Sequence, residues 1–284
     1  MKFYIKSLLF LVLISITSCE DVIEVTVPSA EPRLVIEASL DWQKGTPGNN
    51  QTITLSTSTP YFDTNKFVPL SGASVKVTNV NSGVEYVFAD QNNGSYNISN
   101  FEPIINDSYT LEIVYNNETY YATETLRSVS PIKKVEQTLE GGFYDDILDV
   151  YIFWDDPVDE ENYYMIRFIE EGDLLPVLED FPDEFVNGNE LDEFFEKERD
   201  DDDPEAEFNP GDVVDISLYG VSEEYFNYVR LLIEQYYSGG DPFTTIPVKL
   251  KGNCINLDNP DNYAHGYFRL SEFDTVNYTF VEQE

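Results

Sequence analysis

The chain has 284 residues, with 16 basic side chains against 54 acidic ones and a formal charge of −38. So acidic a protein repels phosphate backbones and anionic head groups, which excludes nucleic-acid binding and favours cations or basic partners, although a solvated acidic face accounts for the same composition. Apolar residues at 42% suffice for buried cores, the length suits two domains, and an aromatic share of 14%, mostly Tyr and Phe, suits half-buried strands.

Residues 1–18 have the layout of a secretory signal. Lys2 and Lys6 give a positive start, Leu8 to Ile14 form an apolar run too short for a permanent membrane span, and Ile16-Thr17-Ser18 leads into Cys19. Ile-Thr-Ser-Cys resembles the bacterial lipobox, in which Cys19 becomes the lipidated first residue. Each buried acyl methylene adds about 0.8 kcal/mol, so two or three chains make a stable anchor. Cys254, the second of two cysteines, is then a lone thiol, expected to be a small buried hydrophobe. Residues 19–32, with Pro28 and Pro32, read as a tether.

Strand signals fill 33–127. Arg33–Leu40, Gln51–Leu55, Ala73–Thr78, Glu85–Phe88, Ser95–Ser99, Tyr109–Tyr115 and Thr119–Thr125 alternate or run apolar, with turns at Asn92-Asn-Gly94 and Asn116-Asn117. This density of short strands predicts a β-sandwich similar to immunoglobulin or prealbumin-like domains. Ser128–Ile132, with Pro131, reads as a boundary, and 128–284 as a second β domain. Its Leu148–Trp154 strand, Pro157 and the Tyr163–Ile169 strand resemble the start of a fibronectin type III domain, with Trp154 in the core. Residues 172–211 break the pattern, and the spacing of Leu191, Phe194 and Phe195 within Asn189–Arg199 predicts a helical insertion. Val213–Tyr219 returns to strand. Ser222 caps a helix over about 222–238, with Glu223 and Glu224 in its first turn and Gly239-Gly240 as its stop. Lys249–Asn256, Gly266–Leu270 and Tyr278–Val281 read as closing strands. The fold class expected is mainly β: two sandwiches, the second with a helical insertion and one longer helix.

Several of these segments together, the lipobox, Pro32-Arg-Leu-Val-Ile36, Gly72-Ala73-Ser-Val75 and Gly239-Gly-Asp-Pro-Phe243…Gly252-Asn253…Gly266-Tyr-Phe268, resemble the domain-of-unknown-function 4249 family of Bacteroidota lipoproteins, over nearly the whole chain. The resemblance implies a protein of the outer membrane, held by lipid on Cys19, working beside a TonB-dependent receptor. It implies no catalytic residues. Glu20, Asp21 and Glu24 resemble a surface-export signal of the same bacteria, and Asp274-Thr-Val276 resembles their O-glycosylation motif, with Thr275 as acceptor.

Enzyme chemistry has little to work with. His265 is the only histidine, no Gly-x-Ser-x-Gly elbow occurs, and a zinc site of His and Cys ligands is not available. Among 54 acids a carboxylate pair at glycosidase distance is expected by chance. Asp200–Asp203 with Glu205 and Glu207, or Asp145, Asp146 and Asp149, could supply hard oxygen ligands, but neither stretch has the spacing of a calcium loop. Both read as solvated loops, no metal site or cofactor is assigned, and calcium is expected to leave the melting temperature unchanged. Surplus tyrosine and the two tryptophans suggest a glycan or small nutrient ligand, against the plainer reading that the rings fill the cores. The functional expectation is a non-enzymatic lipoprotein assisting an outer-membrane receptor. A structural or adhesive surface module is the alternative, with a glycan binder or hydrolase behind it.

Overall fold

The computed structural model describes residues 31–60, 63, 67–144, 146–158, 160–182, 187–197, 207–237 and 250–283. The signal segment, Cys19 and most of the tether lie outside them, as do Asp145, Asp200–Asp203 and Glu205.

Alternation of apolar and polar side chains sets the first strands. In β1 (Leu34–Gln43), Leu34, Ile36, Ala38 and Leu40 point inward while Glu37 and Ser39 face out. β2 (Gln51–Thr57), β3 (Val68–Pro69), β4 (Ser74–Asn79), β5 (Glu85–Asp90), β6 (Ser95–Ile98), β7 (Ser108–Tyr115) and β8 (Glu118–Thr125) follow. Asn116 and Asn117 both adopt positive φ, 50° and 62°, in the tight turn joining β7 to β8. The first core packs Ile36, Ile53, Leu55, Val75, Val77, Phe88, Tyr96, Leu111 and Ile113.

The second half comprises β9 (Ile132–Thr138), β10 (Asp149–Asp155), β11 (Tyr163–Glu170), β12 (Val177–Pro182), β13 (Glu190–Phe195), β14 (Val213–Val221), helix α1 (Glu223–Tyr237), β15 (Ile255–Asn256) and β16 (His265–Thr279). A three-stranded sheet, β13-β10-β9, packs on β11, β14 and the end of β16. Trp154 is fully buried between them, edge-on to Tyr164 and Phe181 at 5.4 and 5.5 Å. The protein is mainly β with one helix among the described residues, as the sequence predicts.

The expected helical insertion is not helical where it is described. Residues 177–182 and 190–195 are β12 and β13. Leu191, Phe194 and Phe195 suit a helical stripe, but Leu191 and Phe195 also share one face of a strand. That face closes the second core, while Phe194 lies on the other face, opposite Tyr151 of β10. The free edge of β10 beside Trp154 takes the segment as a strand, so tertiary pairing overrides local spacing.

The two expected closing strands, Gly266–Leu270 and Tyr278–Val281, are largely one strand of 15 residues. β16 pairs parallel with β1 from Val35↔His265 to Gln43↔Phe273, then antiparallel with β14 from Tyr219↔Phe273 to Val213↔Thr279. Phe268 and Leu270 belong to the first core, and Val276 and Phe280 to the second. Residues 32–284 cluster as one compact unit. Gly266 is essential to the β16–β1 pairing: its φ is +89°, and a β-carbon there would lie 2.0 Å from the Ile36 carbonyl oxygen. Asn253 supports the same place, accepting the Phe268 N–H at 2.9 Å and donating to the Phe268 carbonyl at 2.7 Å.

Candidate functional site

Most residues singled out in the sequence sit in structural roles. Cys254 is buried, and burial pushes its thiol up to about 12, well away from nucleophilic use. His265 starts β16, edge-on to the Tyr263 ring at 5.4 Å. Thr275 is exposed on β16, with its hydroxyl donating to the Ile216 carbonyl at 3.0 Å. Trp42 is half-buried, and its indole N–H bonds the Thr46 carbonyl at 2.7 Å. Among the described residues no three His, Cys, Asp or Glu side chains converge as a metal cage, and no helix is long and apolar enough to cross a membrane.

One polar cluster joins the two halves. Ser222 caps α1 by accepting the Tyr225 N–H at 3.1 Å, and its hydroxyl donates to Glu124 of β8 at 3.0 Å. Burial pushes the Glu124 carboxyl up to about 7, against the lowering effect of its bonds from Thr125 and Ser222. Beside it, Arg269 of β16 grips Asp41 of β1 through two bonds of 3.1 and 2.7 Å and donates to the Tyr225 hydroxyl at 2.7 Å.

The outer face of the three-stranded sheet carries an aromatic row. Tyr151 and Phe194 are near-parallel at 5.2 Å, Tyr151 and Phe153 at 6.2 Å, and exposed Phe143 leans on Phe194 at 5.4 Å. Lys134 Nζ lies 4.4 Å from the Phe153 centroid, so the rings are engaged within the row. Tyr151 and Phe153 border a shallow depression of about 590 Å³ with Glu136, Gln137 and Tyr278.

At the end of this row, residues 141–144 fold back over Asp149. Its side chain has no exposure, and neither carboxylate oxygen receives a well-aligned hydrogen bond. Glu196, just beyond β13, accepts the Phe143 and Tyr144 N–H groups at 2.8 and 3.1 Å. Burial first, and the Glu196 charge second, push Asp149 up to about 6, partly offset by the nearby Gly142 and Gly141 amides. The sequence treats Asp149 as solvated, and this burial corrects that. Sequence spacing gives no sign of Glu196: 46 residues separate the two acids, and only the loop fold-back brings them together.

The hairpin between β11 and β12 ends in a different kind of surface. Leu174 and Leu175 are 96% and 68% exposed, next to exposed Glu171 and Asp173. Glu170 pairs with Val214, and Val214 with Tyr278, so this tip projects near the C-terminal end of β16. β1 begins at the other end, beside His265. At about 3.3 Å per residue the two ends of β16 are roughly 45 Å apart.

These features describe a two-core β protein whose chain enters at one end and whose apolar hairpin lies toward the other. The chain belongs to the family described as a domain of unknown function, DUF4249, whose model matches residues 20–276. No curated protein matches it. Among solved structures, a two-domain fibronectin type III segment of chicken tenascin is similar at 10% identity, over 66% of this chain and 90% of that one, with a TM-score of 0.21. A cytokine receptor complex gives 8%, 88% and 97% with 0.27. A DUF4785 family protein of Legionella pneumophila gives 11%, 66% and 51% with 0.26. At such TM-scores the architecture rests on the strand order described above.

Proposed function

We propose that the chain is a lipid-anchored, non-enzymatic accessory protein of the outer membrane that assists a TonB-dependent receptor in ligand capture or assembly. The observation that supports this best is the Leu174–Leu175 hairpin tip. It is an exposed apolar pair flanked by acids, toward the end of β16 opposite the start of β1. Exposed apolar side chains with a charged rim suit a protein contact, and the acids select a basic rim on the partner.

Two measurements test this reading. Labelled palmitate should enter the wild type, and equal labelling of Cys19→Ala would remove the anchor from the proposal. In mild detergent, a β-barrel receptor of the TonB-dependent type should co-purify with the tagged protein. The Leu174→Ser/Leu175→Ser double variant should recover it at least tenfold less well. Repeated absence of the barrel from the wild-type preparation would overturn the accessory role.

A further inference from the structure

We propose that Asp149 and Glu196 form a calcium site beneath residues 141–144. Asp149 lies on the outward side of β10, the side that carries Tyr151 and Phe153, yet it is wholly buried, and the Gly141 and Gly142 amides approach its carboxylate without forming a well-aligned hydrogen bond. A buried carboxylate held so weakly by its donors needs compensating positive charge or a proton. The facing Glu196 is a second acid and supplies no positive charge, so either a cation or a proton shared between the two must hold them together. The two converge on one space: a β-carbon on Gly142 would lie 2.5 Å from Glu196 Oε1 and 2.9 Å from Asp149 Oδ1. A glycine at 142 therefore leaves room where the carboxylates meet.

Glu196 is held in position independently of any ion. The Phe143 and Tyr144 N–H groups take one lone pair on each of its oxygens, and each oxygen keeps another for a further ligand. Two like charges held together in this way repel, and a cation between them turns that repulsion into attraction. The side-chain donors are hard oxygens without sulfur or imidazole, which selects calcium or magnesium over zinc or copper. Magnesium keeps several waters and demands a regular octahedron. Calcium accepts an irregular shell of carboxylates, backbone carbonyls and water, which suits a buried pair under a peptide loop. Two carboxylates are a low ligand charge, so affinity belongs in the range of about 10⁻⁴ to 10⁻³ M found in extracellular modules. A bound ion would fasten the loop carrying Phe143 to the ends of β10 and β13, and so order the aromatic row. The expectation that calcium leaves stability unchanged is thereby reversed.

The test uses the full-length protein in mild detergent, stripped with chelator. Terbium, excited through the neighbouring Tyr144 and Tyr151, should luminesce and be displaced by calcium. Millimolar calcium should raise the melting temperature by several degrees, and equal magnesium should not. Asp149→Asn and Glu196→Gln should each weaken calcium binding at least tenfold and abolish the thermal shift, whereas Asp173→Asn, on the hairpin tip, should retain it. A shift that survives in both site variants would assign the binding to the general acidic surface and overturn the proposal. So would a melting temperature that ignores calcium but rises on acidification in the wild type and not in Asp149→Asn. That result would mean a shared proton alone holds the pair.

Discussion

Glu124 is a carboxylate whose protonation is tied to folding. It sits at the end of β8, 7% exposed, facing the cap of α1, and burial raises its carboxyl from the usual 4.5 to about 7. The folded protein therefore holds a proton that the unfolded chain releases. The resulting stability is fully present below about pH 4.5 and is lost as pH rises through 7. At about 1.4 kcal/mol per pH unit the contribution is on the order of 3 kcal/mol at most. Glu179 on β12, raised to about 7 by burial and then by Glu193 and Asp180, acts in the same direction. Urea unfolding at pH 5, 6, 7 and 8 should show stability falling with pH. Glu124→Gln should flatten that slope measurably and gain most at pH 8. An unchanged slope in this variant would leave Glu179 and the general charge of −38 as the sources of the pH dependence.

At the scale of elements, β16 depends on a residue that has no side chain. Gly266→Ala meets the Ile36 carbonyl at 2.0 Å with a left-handed φ, and should cost about 3 kcal/mol or more, seen as a lower urea midpoint with an unchanged slope. Gly72→Ala has similarly positive φ, +84°, but open space around it, and should cost only about 1 kcal/mol. The strands of the first half are legible in sequence because alternation and Asn-rich turns are local signals. So is α1, whose Ser222 cap and first-turn acids stand next to its apolar stripe. β13 is not legible in that way, since Leu191, Phe194 and Phe195 satisfy both a helix and a strand until β10 supplies an edge. The parallel pairing of β16 with β1 joins residues some 230 apart, and periodicity carries no information at that range. The Asp149 and Glu196 pair is hidden for the same reason: burial there is made by a loop folding back, and the two acids read individually as two more solvated charges.

At the scale of the whole molecule, β16 makes the two cores depend on each other. Its first half contributes Phe268 and Leu270 to one core and its second half Val276 to the other, with no break in the strand between them. Arg269, Asp41 and Tyr225 tie the same junction to α1 through desolvated, charge-assisted bonds. Unfolding either half would strip a strand from the other, which favours a single cooperative transition over two independent ones. The two tryptophans make this measurable, because Trp42 packs against the first core and Trp154 lies within the second. In Trp154→Phe the remaining fluorescence reports the first half, and in Trp42→Phe it reports the second. In each variant the fluorescence midpoint in urea should coincide with the midpoint of β circular dichroism. A fluorescence midpoint displaced from the circular dichroism in either variant would show that the halves unfold separately, and that β16 joins two domains without coupling them.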